Sequence, residues 1–137
     1  MKKRIIALLT LMVLLVGMFA FASAATKPSA NLHKSSQHQT ITAGETIVFN
    51  FSLKSGSYKK VGDAFRAKLV TKISKGSKQL GTASWVWTGT QKYQLKAKIA
   101  ESSPAGTYKM AYTTYYRNDA ASAWKKVKTK TTTFNVK

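Results

Sequence analysis

From Thr46 onward, apolar and polar side chains take turns along the chain. Ile47, Phe49, Phe51 and Leu53 alternate with Thr46, Val48, Asn50 and Ser52, and a period of two turns one set to a buried face of a strand and the other to solvent. Ser55-Gly56-Ser57 interrupts the pattern, as small turn-forming residues do. A second strand is predicted where Phe65, Leu69 and Ile73 oppose Arg66, Lys68 and Lys72, ending at Gly76-Ser77. Leu80 to Trp87 makes a third, stopped by Gly89, and Tyr93, Leu95, Ala97 and Ile99 alternate with Lys92, Gln94, Lys96 and Lys98 in a fourth. Thr107 to Arg117 and Trp124 to Val136 supply two more. About six or seven strands without helical spacing between them predict an all-β fold, an antiparallel β-sandwich or a small barrel.

The beginning of the chain follows a different rule. Lys2, Lys3 and Arg4 precede an apolar run from Ile5 to Ala22, and Ala22-Ser23-Ala24 closes it. A basic start, a greasy middle and a small-residue cleavage site predict a secretory signal peptide over residues 1–24, cleaved near Ala24 or Ala25. The competing expectation, an uncleaved membrane anchor, is weakened by the polar Thr/Lys/Pro/Ser stretch that follows. No cysteine follows the run, so a lipoprotein attachment is excluded. Residues 25–40, rich in Ser, Lys, His and Gln, are expected to be a polar leader, with the sandwich domain over 41–137. The protein is thus expected to be secreted, with its charge favouring retention at the cell surface.

Charge changes the picture more than length does. The 137 residues suffice for a single domain, and the absence of cysteine leaves its stability to the hydrophobic core. There are 23 Lys plus Arg against 4 Asp plus Glu, a formal net charge of +19. Lys2, Lys3 and Arg4 lie in the signal segment, so the remainder still carries 20 basic side chains against the same 4 acidic ones, a net +16. Three strands carry cations at alternating positions: Arg66, Lys68 and Lys72; Lys92, Lys96 and Lys98; Lys126, Lys128 and Lys130. Within a strand, side chains two apart share a face, so neighbouring strands of this kind would build one broad cationic surface that attracts polyanions. Lysines on a solvated strand face also deter edge-to-edge aggregation. That explains the lysines but not the scarcity of Asp and Glu, since mixed signs would solubilise the protein equally well.

One local motif favours the sandwich over the barrel. In Pro104-Ala105-Gly106-Thr107-Tyr108-Lys109-Met110 a glycine precedes the tyrosine by two and an apolar residue follows it by two, which resembles the tyrosine corner of immunoglobulin-like domains. Met110 stands where antibody domains have their second cysteine. Ala43-Gly44-Glu45 leading into Ile47-Val48-Phe49 looks like the entry to an early strand of bacterial extracellular immunoglobulin-like modules. By size, signal peptide and layout the chain is similar to small secreted proteins of Gram-positive bacteria. That resemblance implies an architecture and carries over no site.

Catalytic chemistry finds little material. General acid–base work usually needs placed carboxylates, and Glu45, Asp63, Glu101 and Asp119 all fall at predicted turns or strand ends, where turn chemistry accounts for them. His33 and His38 lie in the polar leader without a third metal ligand at a usual spacing. No Gly-rich phosphate loop is present. The expectation is a non-enzymatic protein with no catalytic residue, no metal and no cofactor.

Aromatics are interleaved with the cations: Trp85, Trp87 and Trp124, and Tyr112, Tyr115 and Tyr116 beside Arg117. Trp85 and Trp87 share one strand face and Val86 the other, and Tyr115 and Tyr116 point to opposite faces. Trp85, Trp87, Trp124 and Tyr115 are therefore candidate contacts beside the nine cations named above. The expected partners are anionic envelope polymers or an anionic membrane surface. Nucleic acid would bind in a test tube through charge alone, but secretion makes it a poor physiological partner. Two other expectations stay open: an antimicrobial or competition factor acting on bacterial envelopes, and a carbohydrate-binding module using exposed aromatics.

Overall fold

A computed structural model describes residues 25–137. The expected signal peptide, residues 1–24, lies outside the described residues. The elements in chain order are β1 (Ser29–Leu32), a one-turn 3-10 helix (Lys34–Ser36), β2 (Thr40–Ile41), β3 (Thr46–Lys54), β4 (Ala67–Lys75), β5 (Lys78–Trp87), β6 (Thr90–Lys98), β7 (Gly106–Tyr116) and β8 (Lys125–Val136). They form two sheets, β1-β3-β6 and β2-β8-β7-β4-β5. Every pairing is antiparallel except the short parallel contact of β2 with β8.

The period-two alternation decides which faces meet. Ile47, Phe49, Phe51 and Leu53 of β3 turn inward against Leu69 of β4, Tyr108, Met110 and Tyr112 of β7, and Phe134 and Val136 of β8. Phe49 packs edge-on against Phe134, with ring centroids 5.9 Å apart, and Phe51 meets Tyr112 at 5.1 Å. Each fully buried aromatic or aliphatic side chain contributes about 1.5–3 kcal/mol, so these inward positions suffice to join the sheets without a disulfide. The tyrosine corner forms as the motif implied: the Tyr108 hydroxyl donates to the Pro104 carbonyl oxygen at 2.6 Å, and Met110 is fully buried beneath it.

The sandwich begins earlier than position 41. Residues 29–32 of the expected leader pair with Lys54 to Phe51 of β3, burying Ala30 and Leu32. Two apolar positions are too few to register as a strand by periodicity. The polar residues that made the segment look like a tail tie it down instead. The Ser36 hydroxyl accepts from the Asn50 amide, and the Gln39 side chain donates to the Ser36 and Val48 carbonyls. His33, expected to be a solvated leader residue, caps the 3-10 turn through Nδ1, which accepts from the Ser35 amide at 3.2 Å.

Candidate functional site

The nine sequence-predicted cations do not share one face. Lys92, Lys96 and Lys98 point outward from β6 in the three-stranded sheet, opposite Ser52, Val48 and Thr46 of β3. Lys68 and Lys72 point outward from β4 in the five-stranded sheet, on the far side of the core. On β8 the register slips: Thr114 pairs with Lys128 but Tyr115 pairs with Lys126, which leaves Val127 as an extra residue. Such a bulge reverses the alternation. Lys126 therefore joins Lys68 on the outer face, while Lys128 and Lys130 turn toward the seam with β1. There the Lys130 ammonium donates to the Ala30 carbonyl and to Asn31 Oδ1. The expectation of a single broad cationic face is thus corrected, because neighbouring numbers of cations do not make their strands neighbours.

What the fold does gather is one end of the sandwich. The start of β1, the Ser55–Arg66 connection, the β5–β6 turn and the 117–124 connection between β7 and β8 all converge there, because Lys54, Ala67, Trp87, Thr90, Tyr116 and Lys125 are register ends at that pole. Arg117 is fixed by three backbone contacts: Nε donates to the Phe65 carbonyl at 2.8 Å, Nη1 to the Ala120 carbonyl at 3.3 Å, and its amide to the Arg66 carbonyl at 3.2 Å. Its guanidinium lies 4.2 Å from the Trp124 ring centroid. The Lys68 ammonium stands 4.7 Å from the same ring and 5.4 Å from that of Tyr115. Two cations thus share one indole.

A second cluster adjoins the first. The Lys27 ammonium donates to the Tyr58 hydroxyl at 3.2 Å and lies 4.1 Å from the Tyr116 ring centroid. The Arg66 guanidinium stands 5.1 Å from the Tyr58 ring, and its Nη1 donates to the Lys59 carbonyl. Lys60 lies 4.7 Å from the Phe65 ring. Aromatic faces position cations without supplying a counter-charge, so the positive potential stays available to an outside anion.

Ionisation reflects this crowding. Burial first, and the Arg117 charge second, push the Lys68 ammonium below its ordinary value. The bond to Tyr58 raises Lys27. Asp119, an acid of this pole, is held below its ordinary range chiefly by the Ser122 hydroxyl. Its Oδ1 also accepts from the Ala121 and Ser122 amides, so it organises its own turn.

The aromatic candidates separate in the same way. Trp87 is 1% exposed and belongs to the core, which corrects its expected role as a contact. Trp85, 38% exposed, stacks on Tyr93 with centroids 4.9 Å apart and lies away from the pole, at the β5 edge. Trp124 and Tyr115 are half-buried beneath Lys68 and Arg117. Lys27, Tyr58, Tyr116 and Arg117 were not among the sequence candidates. No periodicity marks a turn residue such as Tyr58, but the Tyr115-Tyr116-Arg117 run was visible as a concentration of rings beside a cation.

Of the other acids, Glu45 accepts from the Thr42 amide at 2.6 Å. No group of three or more His, Cys, Asp or Glu able to hold a metal occurs among the described residues. A hollow of about 520 Å3 lies across the outer face of β3 and β6 beside His33 and Lys92, not at the cationic pole.

No protein-family profile matches the chain, and no curated protein matches it in sequence. Solved structures do. A CARDB domain from Pyrococcus furiosus, solved in complex with di-metal ions, superposes with a TM-score of 0.52 at 8% identity, covering 82% of this chain and 94% of that one. A family 123 glycoside hydrolase from Clostridium perfringens gives 0.48 at 8% identity, over 81% of this chain and 27% of that one. The sporulation control protein Spo0M of Bacillus subtilis gives 0.37 at 16% identity, over 82% and 49%. The fold is an immunoglobulin-like β-sandwich.

Proposed function

We propose that this protein is a secreted, non-enzymatic, strongly cationic sandwich that binds anionic polymers of the cell envelope through the cation–aromatic pole, as a small exported protein of a Gram-positive bacterium. One observation carries this: Lys68 and Arg117 are held over the single ring of Trp124, while Asp119, the acid that the Arg117 charge reaches, spends its Oδ1 on its own turn. Two like charges brought together repel, and a bridging phosphate or carboxylate relieves that repulsion while gaining two contacts. Lys27, Arg66 and Lys126 widen the footprint along a chain-like ligand. The scarcity of arginine favours avid attraction with little geometric selectivity.

Lys68 and Arg117 occupy the ring of Trp124, which weighs against a carbohydrate platform there, since sugar stacking needs an open ring. The non-enzymatic part rests on turn-bound acids such as Glu45 and Asp119.

Retention of the purified protein on immobilised polyglycerol phosphate, on acidic polysaccharide and on vesicles of anionic lipid, followed across a salt series, tests the proposal. Retention on at least one of these that falls steeply between low and physiological salt is expected. Salt-insensitive retention, or none on any of the three, would overturn it. Dye release from the vesicles at saturating protein would instead favour an envelope-damaging role.

A further inference from the structure

The sheets end in four edge strands among the described residues, and they are not protected alike. β1 has four residues and β2 has two. β6 carries Lys92, Lys96 and Lys98 at spaced outward positions. Short edges and edge lysines are the usual devices that keep a sheet from adding another strand. β5 has ten residues and no charged side chain between Gln79 and Trp87. A bulge at Leu80 disturbs only its beginning, and from Gly81 to Trp87 its pairing with β4 is regular. Its other side is open, and Gln79 to Thr82, Ser84 and Trp85 are exposed.

The seam beside this edge is shaped to receive side chains. Trp85 and Leu80, 38% and 46% exposed, flank a hollow of about 180 Å3 floored by Ile73, Gly81, Ala83, Leu95 and Ala97. The hollow adjoins another past Ala97 and Ile99, with which it shares Ile73, Gly81 and Ala97, and beyond Trp85 a further one is lined by Phe65 and Trp87. A strand laid along β5 would send alternate side chains into this apolar trough. Its other side chains would face outward on the side where β4, one strand further in, carries Lys68 and Lys72, and Lys96 and Lys98 form the opposite rim.

We propose that the β5 edge is a docking site for an extended acidic polypeptide segment, with apolar and carboxylate residues alternating, that adds a strand to the five-stranded sheet. Charge selects the occupant. A second copy of this chain would bring its own lysines to the same rims, whereas carboxylates on the outward positions of the added strand answer the charge of Lys68 and Lys72. This surface meets the cation–aromatic pole at Lys68, but its trough and its Lys72, Lys96 and Lys98 lie apart from the Trp124 ring, and protection of the β5 amides is read separately from polymer binding.

The test uses an alternating Val–Glu octapeptide, the same peptide N-methylated at alternate residues, and a neutral Val–Thr octapeptide, each titrated into the purified protein. The expected result is hydrogen-exchange protection of the Gly81–Val86 amides by the Val–Glu peptide, with binding at least about ten-fold weaker for the N-methylated form, which has lost its backbone donors. Ala83→Lys, which puts a cation into the trough, should abolish the protection while the protein remains folded by circular dichroism. Equal binding of the methylated peptide would overturn the proposal in favour of plain charge attraction. Equal binding of the neutral peptide would overturn the acidic chemistry. Concentration-dependent protection of β5 without any peptide would assign the edge to a second copy.

Discussion

If polyanions bind at the pole, removing two charges there must cost more than removing three elsewhere. The perturbation is Lys68→Gln with Arg117→Gln, set against Lys92→Gln, Lys96→Gln and Lys98→Gln on the opposite sheet. Each close contact between unit charges near 4 Å is worth about 1 kcal/mol even in water, so losing two lowers affinity roughly 30-fold. The β6 lysines lie across a sandwich whose sheets pack about 10 Å apart, with side chains pointing away on both faces. At physiological salt the screening length is about 8 Å, so the triple variant should lose about two-fold or less. Stability should scarcely separate Lys68→Gln from the parent. The ammonium is already disfavoured by burial and by Arg117, so the glutamine gives up a cation–ring contact worth about 0.5–1 kcal/mol and escapes that strain. Titration of each variant onto immobilised polyglycerol phosphate at low and physiological salt, with a melting curve for each, measures both quantities. A triple variant that loses as much affinity as the double one would refute localisation at the pole and return the binding to diffuse charge.

Three further outcomes follow from the packing. Tyr108→Phe removes the hydroxyl that donates to the Pro104 carbonyl; a loss of about 1 kcal/mol lowers the melting temperature by roughly 4 °C for a chain of this size, as scanning calorimetry would show, and an unchanged value would mean the corner bond contributes nothing. Gly56 has a φ of +59°, and a Cβ there would collide with the Thr26 carbonyl oxygen. Gly56→Ala should therefore cost more than about 1 kcal/mol and displace Lys27 from Tyr58, detectable as a lower melting temperature together with weaker polymer binding. Asp119, whose folded carboxyl is held below its ordinary 3.8, stabilises the fold above that value and loses this contribution as pH falls through its lowered folded value. Asp119→Asn should consequently melt below the parent at neutral pH and converge with it under strong acid; a gap constant with pH would exclude the ionised turn as its cause.

The six long strands were legible because alternation is a local property: Ile47 to Leu53 must bury one face whatever lies opposite. The tyrosine corner was legible too, since Pro104 and Tyr108 are four residues apart and the bond between them is local. β1 was missed because Ala30 and Leu32 acquire a face only when β3 supplies the partner. For the site, the sequence alone established the excess of cations and their alternation along strands. Which cations stand together depended on three things that spacing does not encode. These are the assignment of β4 and β6 to different sheets, the extra residue Val127 that turns Lys126 away from Lys128, and the connections that carry Tyr58 and Arg117 to one pole. A strand's own sequence sets its faces, whereas its neighbours are chosen by which faces pack best across the whole core. Trp87 and Trp85 show the difference most plainly: two residues apart on one face, the first is sealed at the sandwich end, and the second is left half-open because β5 is an edge.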